Sequence, residues 1–332
     1  MAWATRLAEW LFEHGIGETR AALVKDGHIA EAAIELPGGL RGGTILSARL
    51  TEIIAPGRVG LVAFEGGEAL VQPLPREVTQ GSAITVEITR EAIGHKRAVA
   101  RAADGRELRQ GPNLHARIAA TGLHVRRLGS HEPDALEDAD WSELVDAATT
   151  GITPFSGGAL LMSLTPAMTL FDIDGTLAPE ALAVAGAAAA GRAIRAFDIG
   201  GSIGIDLPTS SDRAVRLAAA TALDAVLPKP FERTAVNGFG FLQVVRPQQR
   251  ASLPQLLATD RIGAAVRALL RRAERTTGAG TRTLRAHPDV IARAEGEPAW
   301  LAELARRTGV PIVLRAVPGL AISSGHVDAE HP

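Results

Sequence analysis

The spacing of apolar and polar residues changes along the chain and predicts a different kind of structure in each half. Between residues 18 and 90, the apolar residues fall in short strand-like runs such as ETRAALVK, HIAEAAIEL and AITVEITRE, and turns rich in glycine and proline separate them. This pattern predicts β-strands, and the Asp26-Gly27 step between the first two runs predicts a tight hairpin. The strand-like runs from 44 to about 90 are short and closely spaced, which predicts a small closed barrel.

The second half alternates helical and strand-like segments, which predicts an α/β arrangement. The runs GGALLMSL and AMTLFDID predict two strands, the alanine-rich segment 179–197 predicts a helix, and SIGIDL predicts the next strand. Further helices are predicted over SSDRAVRLAAATALDAVL, DRIGAAVRALLRRAERT, DVIARAEG and PAWLAELARRTG, and further strands over GFLQVVR and PIVLRAV. NGFGF is a weak glycine cluster that predicts a turn.

The first residues, MAWATRLAEWLFEHG, have the spacing of a short amphipathic helix. Trp3, Leu7, Trp10 and Leu11 would share one face of that helix. Charged residues interrupt the segment, so it lacks the apolar core of a signal peptide. We therefore expect a short N-terminal helix docked on its own domain.

Composition and charge narrow the class of protein. The chain has 332 residues, of which 46% are hydrophobic and 22% charged, and this favours a globular protein of several domains. The formal net charge is −2, so any binding of nucleic acid needs a local basic patch. There is no cysteine, which excludes disulfides and thiolate zinc sites. No run of 18 apolar residues occurs, so we expect no membrane span and a cytoplasmic protein.

Two strand ends in the second half carry aspartates. The strand AMTLFDID ends with Asp172 and Asp174, and the strand SIGID ends with Asp206. A strand, a helix and a strand in succession form a right-handed crossover between parallel strands, whose carboxyl ends lie at one edge of the sheet. If the strands are neighbours, the carboxylates converge, and converging carboxylates favour a bound cation. Oxygen ligands of this kind suit Mg²⁺. The alternative is that Asp206 only caps its strand and Asp174 only occupies a turn.

The segment TLFDIDGT also resembles the opening motif of the haloacid-dehalogenase phosphatases. That resemblance would make Asp172 a nucleophile and Asp174 an acid or base. In that family a lysine and then an acidic pair follow the opening motif. Here the only downstream lysine is Lys229, and no acidic pair follows it.

A resemblance to the RNase E/G family of endoribonucleases covers more of the chain. It is carried by GGALLMSLTPAMTLFDIDG, RAIRAFDIGGSIGIDL and GFLQVVRPQQRASL, in the order and spacing that the family shows over residues 156–253. The opening hairpin GETRAALVKDGHIAEAAIE, the segment TREAIGHKRA and the C-terminal segment from His287 to Leu320 are similar to family segments as well.

The resemblance implies an α/β fold of several domains, in the α+β sense. Its parts would be an N-terminal helix and hairpin (1–37), an inserted S1-type OB barrel that binds RNA (38–92), a connector that is the remnant of an RNase H-like region (93–152), a DNase I-like catalytic core (153–255) and a small C-terminal α/β domain (256–332). The short connector implies that the family's 5′-end sensor is missing.

The resemblance also implies an activity and its residues. The chain would be a Mg²⁺-dependent endoribonuclease that cleaves single-stranded RNA by in-line attack of water, leaving 5′-phosphate and 3′-hydroxyl ends. Asp172 and Asp206 would hold Mg²⁺, for which Mn²⁺ could substitute, and Asp174 would assist where the family has asparagine. Basic residues matching RNA-contacting positions are Arg90, Lys96, Arg97, Arg195, Arg246 and Arg250.

Departures from the family keep a second hypothesis open. Thr209 stands in place of an acidic residue, and positions that carry stacking aromatics in the barrel are matched here by Val62 and Leu70. The chain would then be an RNA-binding protein of the same fold without cleavage activity. The Cys-x-x-Cys zinc link that joins subunits in the family is absent. We therefore expect no zinc and no zinc-linked tetramer, but a monomer or a dimer.

Overall fold

The computed structural model describes residues 8–331. In chain order the strands are β1 (Glu9–His14), β2 (Thr19–Lys25), β3 (His28–Glu35), β4 (Ile45–Ala55), β5 (Val59–Phe64), β6 (Gly67–Val71), β7 (Ala83–Arg90), β8 (Ala98–Ala102), β9 (Val125–Leu128), β10 (Ile152–Phe155), β11 (Gly158–Leu164), β12 (Thr169–Gly175), β13 (Gly201–Asp206), β14 (Glu232–Arg233), β15 (Phe241–Arg246), β16 (Ala279–Ala286), β17 (Ile312–Ala316) and β18 (His326–His331).

The helices are α1 (Leu114–Ala119), α2 (Trp141–Thr150), α3 (Pro179–Ala196), α4 (Arg213–Val226), α5 (Leu253–Thr259), α6 (Arg261–Arg275), α7 (Pro288–Glu295) and α8 (Pro298–Thr308). Together these elements form a mixed α/β protein with a closed five-stranded barrel and three further sheets in the described part. Within that part no helix has the length and hydropathy needed to cross a membrane. The described chain divides into two compact units.

The first unit combines the chain up to Pro37, residues 121–144 and the chain from Leu256 onward. One of its sheets has the strand order β3-β2-β1-β9, with β9 parallel to β1. Its second sheet has the order β17-β16-β18, and a core of apolar residues from α6, α7 and α8 packs against that sheet. The unit is therefore built from three segments that lie far apart in the sequence.

The predicted hairpin is present in this unit, and the predicted N-terminal helix is wrong where it can be checked. Lys25 pairs with His28 across a turn in which Asp26 and Gly27 both have positive φ. Trp10 and Leu11 lie in strand β1, whereas Trp3 and Leu7 fall outside the described residues. Residues on both faces of β1 are buried, so consecutive residues such as Trp10 and Leu11 are apolar. Their spacing therefore resembles that of one face of a helix.

The second unit contains residues 38–120 and 145–255. Its barrel closes in the order β4-β5-β6-β8-β7, and β6 and β8 are parallel. The predicted barrel limit at residue 92 leaves out β8, which completes the closure up to Ala102. The segment predicted as one connector, 93–152, is therefore divided between the barrel, the first unit and the start of the next sheet.

The other sheet of the second unit has six strands in the order β10-β11-β12-β13-β15-β14. Helices α3 and α4 pack on each other, and α3 packs on the sheet through Gly186, where an added Cβ would lie 2.6 Å from Ile173. Phe171, Ile173, Ile203 and Ile205 are buried. This packing leaves the opposite side of the sheet, which we call the open face, to carry the alternate residues of each strand.

Candidate functional site

Asp172 and Asp206 are direct neighbours on two parallel strands. Helix α3 connects β12 to β13, and the register of that parallel pair sets Asp172 opposite Asp206. Side chains that are paired in this way point to the same side of a sheet, and here that is the open face. Since neighbouring strands are about 4.8 Å apart, both carboxylates can reach a single hydrated ion. The parallel crossover predicted from the sequence is confirmed, and its register pairs the two aspartates.

Neither of these carboxylates is neutralised within residues 8–331. Both side chains are exposed, and in that range neither has a hydrogen bond or an ion pair. Two unpaired anions side by side repel each other unless a cation or a proton intervenes. Their hard oxygen donors fit Mg²⁺, which retains several waters and binds through one or two carboxylates. Asp172 and Asp206 are thus the residues that could hold such an ion.

Asp174 differs from these two aspartates although it lies on the same strand and face. It pairs with Ala159 on the antiparallel strand β11, and its Oδ1 accepts a hydrogen bond from the Gly175 N–H at 3.0 Å. Across the described residues, no three His, Cys, Asp or Glu side chains come together as a metal-binding group. The structure therefore groups two carboxylates, and Asp174 is mainly engaged in its own turn.

Apolar side chains flank the aspartate pair along the same row of the sheet. Leu161 pairs with Asp172 from one side, and Phe241 pairs with Asp206 from the other. Gly204 lies two residues before Asp206 on the same strand. Its lack of a side chain leaves room for those of Leu170 and Phe241, since an added Cβ would lie 2.7 Å from both. Neither Leu161 nor Phe241 supplies a side-chain charge or hydrogen-bonding group to the two carboxylates.

The turn that NGFGF predicts is present and adjoins Asp206. It covers residues 237–240, just before β15, and the Leu207 N–H donates to the carbonyl of Gly240 at 3.2 Å. The Thr209 hydroxyl donates to the carbonyl of Phe239 at 3.0 Å. Thr209, noted in the sequence for the acidic residue it replaces, thus holds this turn beside the candidate site.

Arg195, Arg246 and Arg250 lie at the other end of the sheet. Gly201 pairs with Arg246 and Asp206 with Phe241, so the two ends of β13 are five residues apart, which is about 17 Å. Arg195 lies in the last turn of α3, at the same end as Arg246. These arginines are therefore not placed to stabilise charge on a phosphate held by Asp172 and Asp206.

The two arginines after β15 are bound to one aspartate. Arg246 donates to Asp198 Oδ1 and to the carbonyl of Ile199, and Arg250 donates to Asp198 Oδ2, each at 3.1 Å. Asp198 has a φ of 49°, just after α3. A cleft of about 200 Å³ lies here, lined by Asp198, Pro230 and residues 246–250. These contacts favour a positioning role, in which the arginines fix the chain between α3 and the loop after β15.

The three basic residues named for the barrel, Arg90, Lys96 and Arg97, lie at one loop, between β7 and β8. Arg90 donates to the carbonyl of Arg97 at 2.8 Å, and Lys96 closes the β7–β8 turn through backbone hydrogen bonds with Ile93. Lys96 and Arg97 are exposed. The Glu91 N–H donates to the carbonyl of Gln249 at 2.8 Å, so this barrel loop touches the loop after β15.

The barrel surface differs from the sequence interpretation at one position. Val62 is fully buried in the barrel core, so it cannot face a ligand. Leu61 and Leu70 pair on the other side of their strands. The outward cross-strand pairs of β5 and β6 are Leu61 with Leu70 and Ala63 with Glu68, and none of these residues is aromatic.

Lys229 lies far from the aspartate pair. Its ammonium donates to the carbonyl of Phe231 at 2.8 Å, immediately before β14, and β14 pairs with β15 near Val245 and Arg246. This is the end of the sheet opposite Asp172. The lysine that a haloacid-dehalogenase mechanism needs beside the nucleophile is therefore not supplied by Lys229.

Comparison of the chain with models of known protein families gives no match. Comparison with curated proteins also gives no match. The function must accordingly be argued from the site itself.

Proposed function

We propose that this protein is a divalent-metal-dependent endoribonuclease that cleaves single-stranded RNA and belongs with the RNase E/G family. The observation that carries the proposal is the cross-strand pair of exposed, unpartnered carboxylates, Asp172 and Asp206. The family resemblance also supports the proposal, because β12, α3, β13, β15 and the basic segment after β15 follow one another in the order that the family shows.

The barrel supports an RNA-binding role within this proposal. A closed five-stranded barrel whose third and fifth strands are parallel is what an OB-fold of the S1 type requires, and β6 and β8 meet that requirement. OB-folds bind nucleic acid strands through the face of their second and third strands and through adjoining loops, including that between strands four and five. In this barrel the latter loop carries Arg90, Lys96 and Arg97.

The chemistry follows from the carboxylates and from what they would bind. Asp172 and Asp206 would hold Mg²⁺, or Mn²⁺ in its place, against the scissile phosphate. A cation there supplies neutralisation of phosphate charge and makes water a better nucleophile at neutral pH. In-line attack by water would leave a 5′ phosphate and a 3′ hydroxyl. The protein's own part is to orient the ion from two rigid strands.

A second candidate function is RNA binding without cleavage. The observation that favours it is the lack, across residues 8–331, of a third carboxylate grouped with the pair. The phosphatase hypothesis is weaker, because Asp174 is engaged with Gly175 and Lys229 lies at the wrong end of the sheet.

An RNA assay and a phosphatase assay together separate the three candidates. Purified protein is incubated with a 5′-labelled AU-rich single strand in Mg²⁺ and in EDTA, and the products and complexes are resolved on denaturing and native gels. We expect nicking in Mg²⁺ and none in EDTA. A shifted but intact strand under both conditions would favour the binding protein, and hydrolysis of p-nitrophenyl phosphate would favour the phosphatase.

The Asp206→Asn variant completes the assay. It removes one charge of the pair without changing its size, so we expect cleavage to fall by at least about 100-fold, more than typical losses from outer-shell changes at metal sites. RNA affinity should remain close to that of the wild type. Equal cleavage by the variant would contradict the proposal.

A further inference from the structure

Phe239 is an aromatic side chain held in solvent beside the candidate site. Its side chain is 82% exposed, the highest value among the large hydrophobic residues exposed in the described chain, and it is the one aromatic in that group. Single exposed apolar residues are common in proteins and need no explanation by themselves. The position of Phe239 and the way its backbone is fixed are what carry an argument.

Hydrogen bonds hold the turn that presents Phe239. Asn237 Oδ1 accepts from the N–H groups of both Phe239 and Phe241, at 2.9 and 3.0 Å. The Asn237 N–H donates to the carbonyl of Phe241 at 3.0 Å. Gly240 has a φ of 94°, and a Cβ there would collide with the carbonyl oxygen of Leu207. The turn is thus built for one conformation.

The same turn is tied to the segment that follows Asp206. Thr209 bonds the carbonyl of Phe239, and Leu207 bonds that of Gly240. Phe241 is the cross-strand partner of Asp206, and two residues of chain span at most about 7 Å. The Phe239 ring therefore projects from a fixed point next to the aspartate pair.

The chain offers few other surfaces on which a base could stack. It has no tyrosine, eight phenylalanines and four tryptophans. On the outer face of β5 and β6 the paired positions are Leu61 and Leu70. Single-stranded RNA is gripped largely by stacking of its bases on aromatic rings, worth about 1–3 kcal/mol per base.

We propose that Phe239 stacks on a nucleobase of the RNA strand adjacent to the scissile phosphate and so fixes the register of the strand over Asp172 and Asp206. This inference rests on the proposed RNA-cleaving function and names a contact of that site. Stacking that the outward residues of β5 and β6 do not provide is supplied at the edge of the sheet that carries Asp172 and Asp206. Because every base has a π-face, the contact is tolerant of sequence.

The test combines Phe239 variants with RNA strands that lack one base. Affinity is measured in EDTA by fluorescence anisotropy, for a set of oligonucleotides with a single abasic position moved along the strand. For the wild type, we expect one position near the cleavage site at which loss of the base weakens binding. Phe239→Ala should weaken binding of the intact strand by about 5- to 100-fold and should remove the effect of that abasic position.

Two matched variants distinguish stacking from simple hydrophobic contact. Phe239→Trp should retain wild-type affinity, and Phe239→Leu, which remains apolar without an aromatic ring, should behave like Phe239→Ala. Thermal unfolding checks that each variant is folded. Wild-type affinity in Phe239→Ala or Phe239→Leu would overturn the inference. It would also be overturned if these variants changed the oligomeric state, measured by light scattering, and left RNA affinity unchanged.

The outcomes separate this inference from the proposed function. If the wild type cleaves RNA and the abasic profile is the same in Phe239→Ala, the inference alone is wrong. If the wild type has one base-dependent position that Phe239→Ala removes but cuts no RNA in Mg²⁺, the stacking contact stands and the nuclease proposal fails.

Discussion

The buried ion pairs around Arg20 and the exposed aspartates Asp172 and Asp206 differ in what they indicate. Arg20 is fully buried, bonds Glu13 and contacts Asp134 at 3.1 Å, with its guanidinium 5.0 Å from the centre of the Trp141 ring. Buried charges of this kind need partners. Asp172 and Asp206 are adjacent anions without partners in residues 8–331, which stability alone does not require.

The interior pairs predict a loss of stability at low pH. Burial favours the neutral form of Glu13, but Arg20 and Arg275 outweigh it and hold the pKa of Glu13 below its usual value. Burial likewise opposes ionisation of Asp134, and the same two arginines hold its pKa below the usual value. Carboxyls with lowered pKa contribute stability above their unfolded values, near 4.5 and 3.8, and lose it as the pH falls through their folded values.

Replacing Arg20 tests this network directly. Arg20→Met leaves two buried carboxylates with less compensation, so we expect a loss of about 3–5 kcal/mol in the free energy of unfolding at pH 7. Below pH 4.5 the difference between variant and wild type should shrink, because protonated carboxyls no longer need the cation. Urea unfolding from pH 7 to pH 3 measures it. The exposed Arg315→Met is the control, and an Arg20→Met curve that matches the control at every pH would refute the prediction.

At the level of elements, the position of Asp172 depends on how α3 packs against β12. Gly186 faces Ile173, and a Cβ at residue 186 would lie 2.6 Å from two of its carbon atoms. Phe171 and Ile173 alternate with Asp172 along the strand, so the same packing that buries them turns the aspartate to the open face. The absence of a side chain at Gly186 therefore lets α3 pack closely on β12 and helps to position Asp172.

Gly186→Ala should be destabilising although alanine is the better helix former. Within an exposed helix this change gains about 1 kcal/mol, whereas the contact with Ile173 should reverse the sign and cost about 1–3 kcal/mol through overpacking. Urea unfolding measures the change. In the double variant with Ile173→Ala the two costs should sum to less than their separate values; additive costs, or a stabilised single variant, would contradict the packing argument.

The sequence predicted elements well where local pattern and local pairing coincide. The Asp26-Gly27 hairpin and the crossover from β12 through α3 to β13 are short-range units. Asp26 lies in the turn between β2 and β3, and Asp206 is the last residue of β13. Strand β8 was missed because it closes the barrel by parallel pairing with β6, a contact between distant segments that no local period reports. Strand β16, AGTRTLRA, was missed because its exposed and buried positions include arginine and threonine rather than an apolar run.

The candidate site was predictable to the same extent. Asp172 and Asp206 follow from strand ends and crossover topology. Phe239 does not, because its exposure results from hydrogen bonds made by Asn237 and Thr209. The positions of Arg246 and Arg250 could not be predicted either, because the pairing of β15 with β13 places Arg246, and both arginines bind Asp198, which is distant in the sequence.

For the whole molecule, a net charge of −2 means that RNA affinity must come from a local surface. The double variant Lys96→Ala/Arg97→Ala removes two positive charges from the β7–β8 loop. If each contacts one phosphate, the slope of log affinity against log salt should decrease by about 1.4 for a single strand. The exposed pair Lys25→Ala/Arg315→Ala, in the other unit, removes the same charge and should leave the slope unchanged; equal effects of both double variants would exclude a local RNA path at this loop.

The central claim is that Asp172 and Asp206 together form a divalent-cation site, and Mn²⁺ binding followed by electron paramagnetic resonance tests it most directly. Asp172→Asn, Asp206→Asn and Asp174→Asn make the same chemical change at three positions of one open face. We predict that the first two variants lose the Mn²⁺ site of the wild type and that Asp174→Asn retains it with similar affinity. Wild-type Mn²⁺ binding in Asp206→Asn, or equal losses in all three variants, would contradict the account.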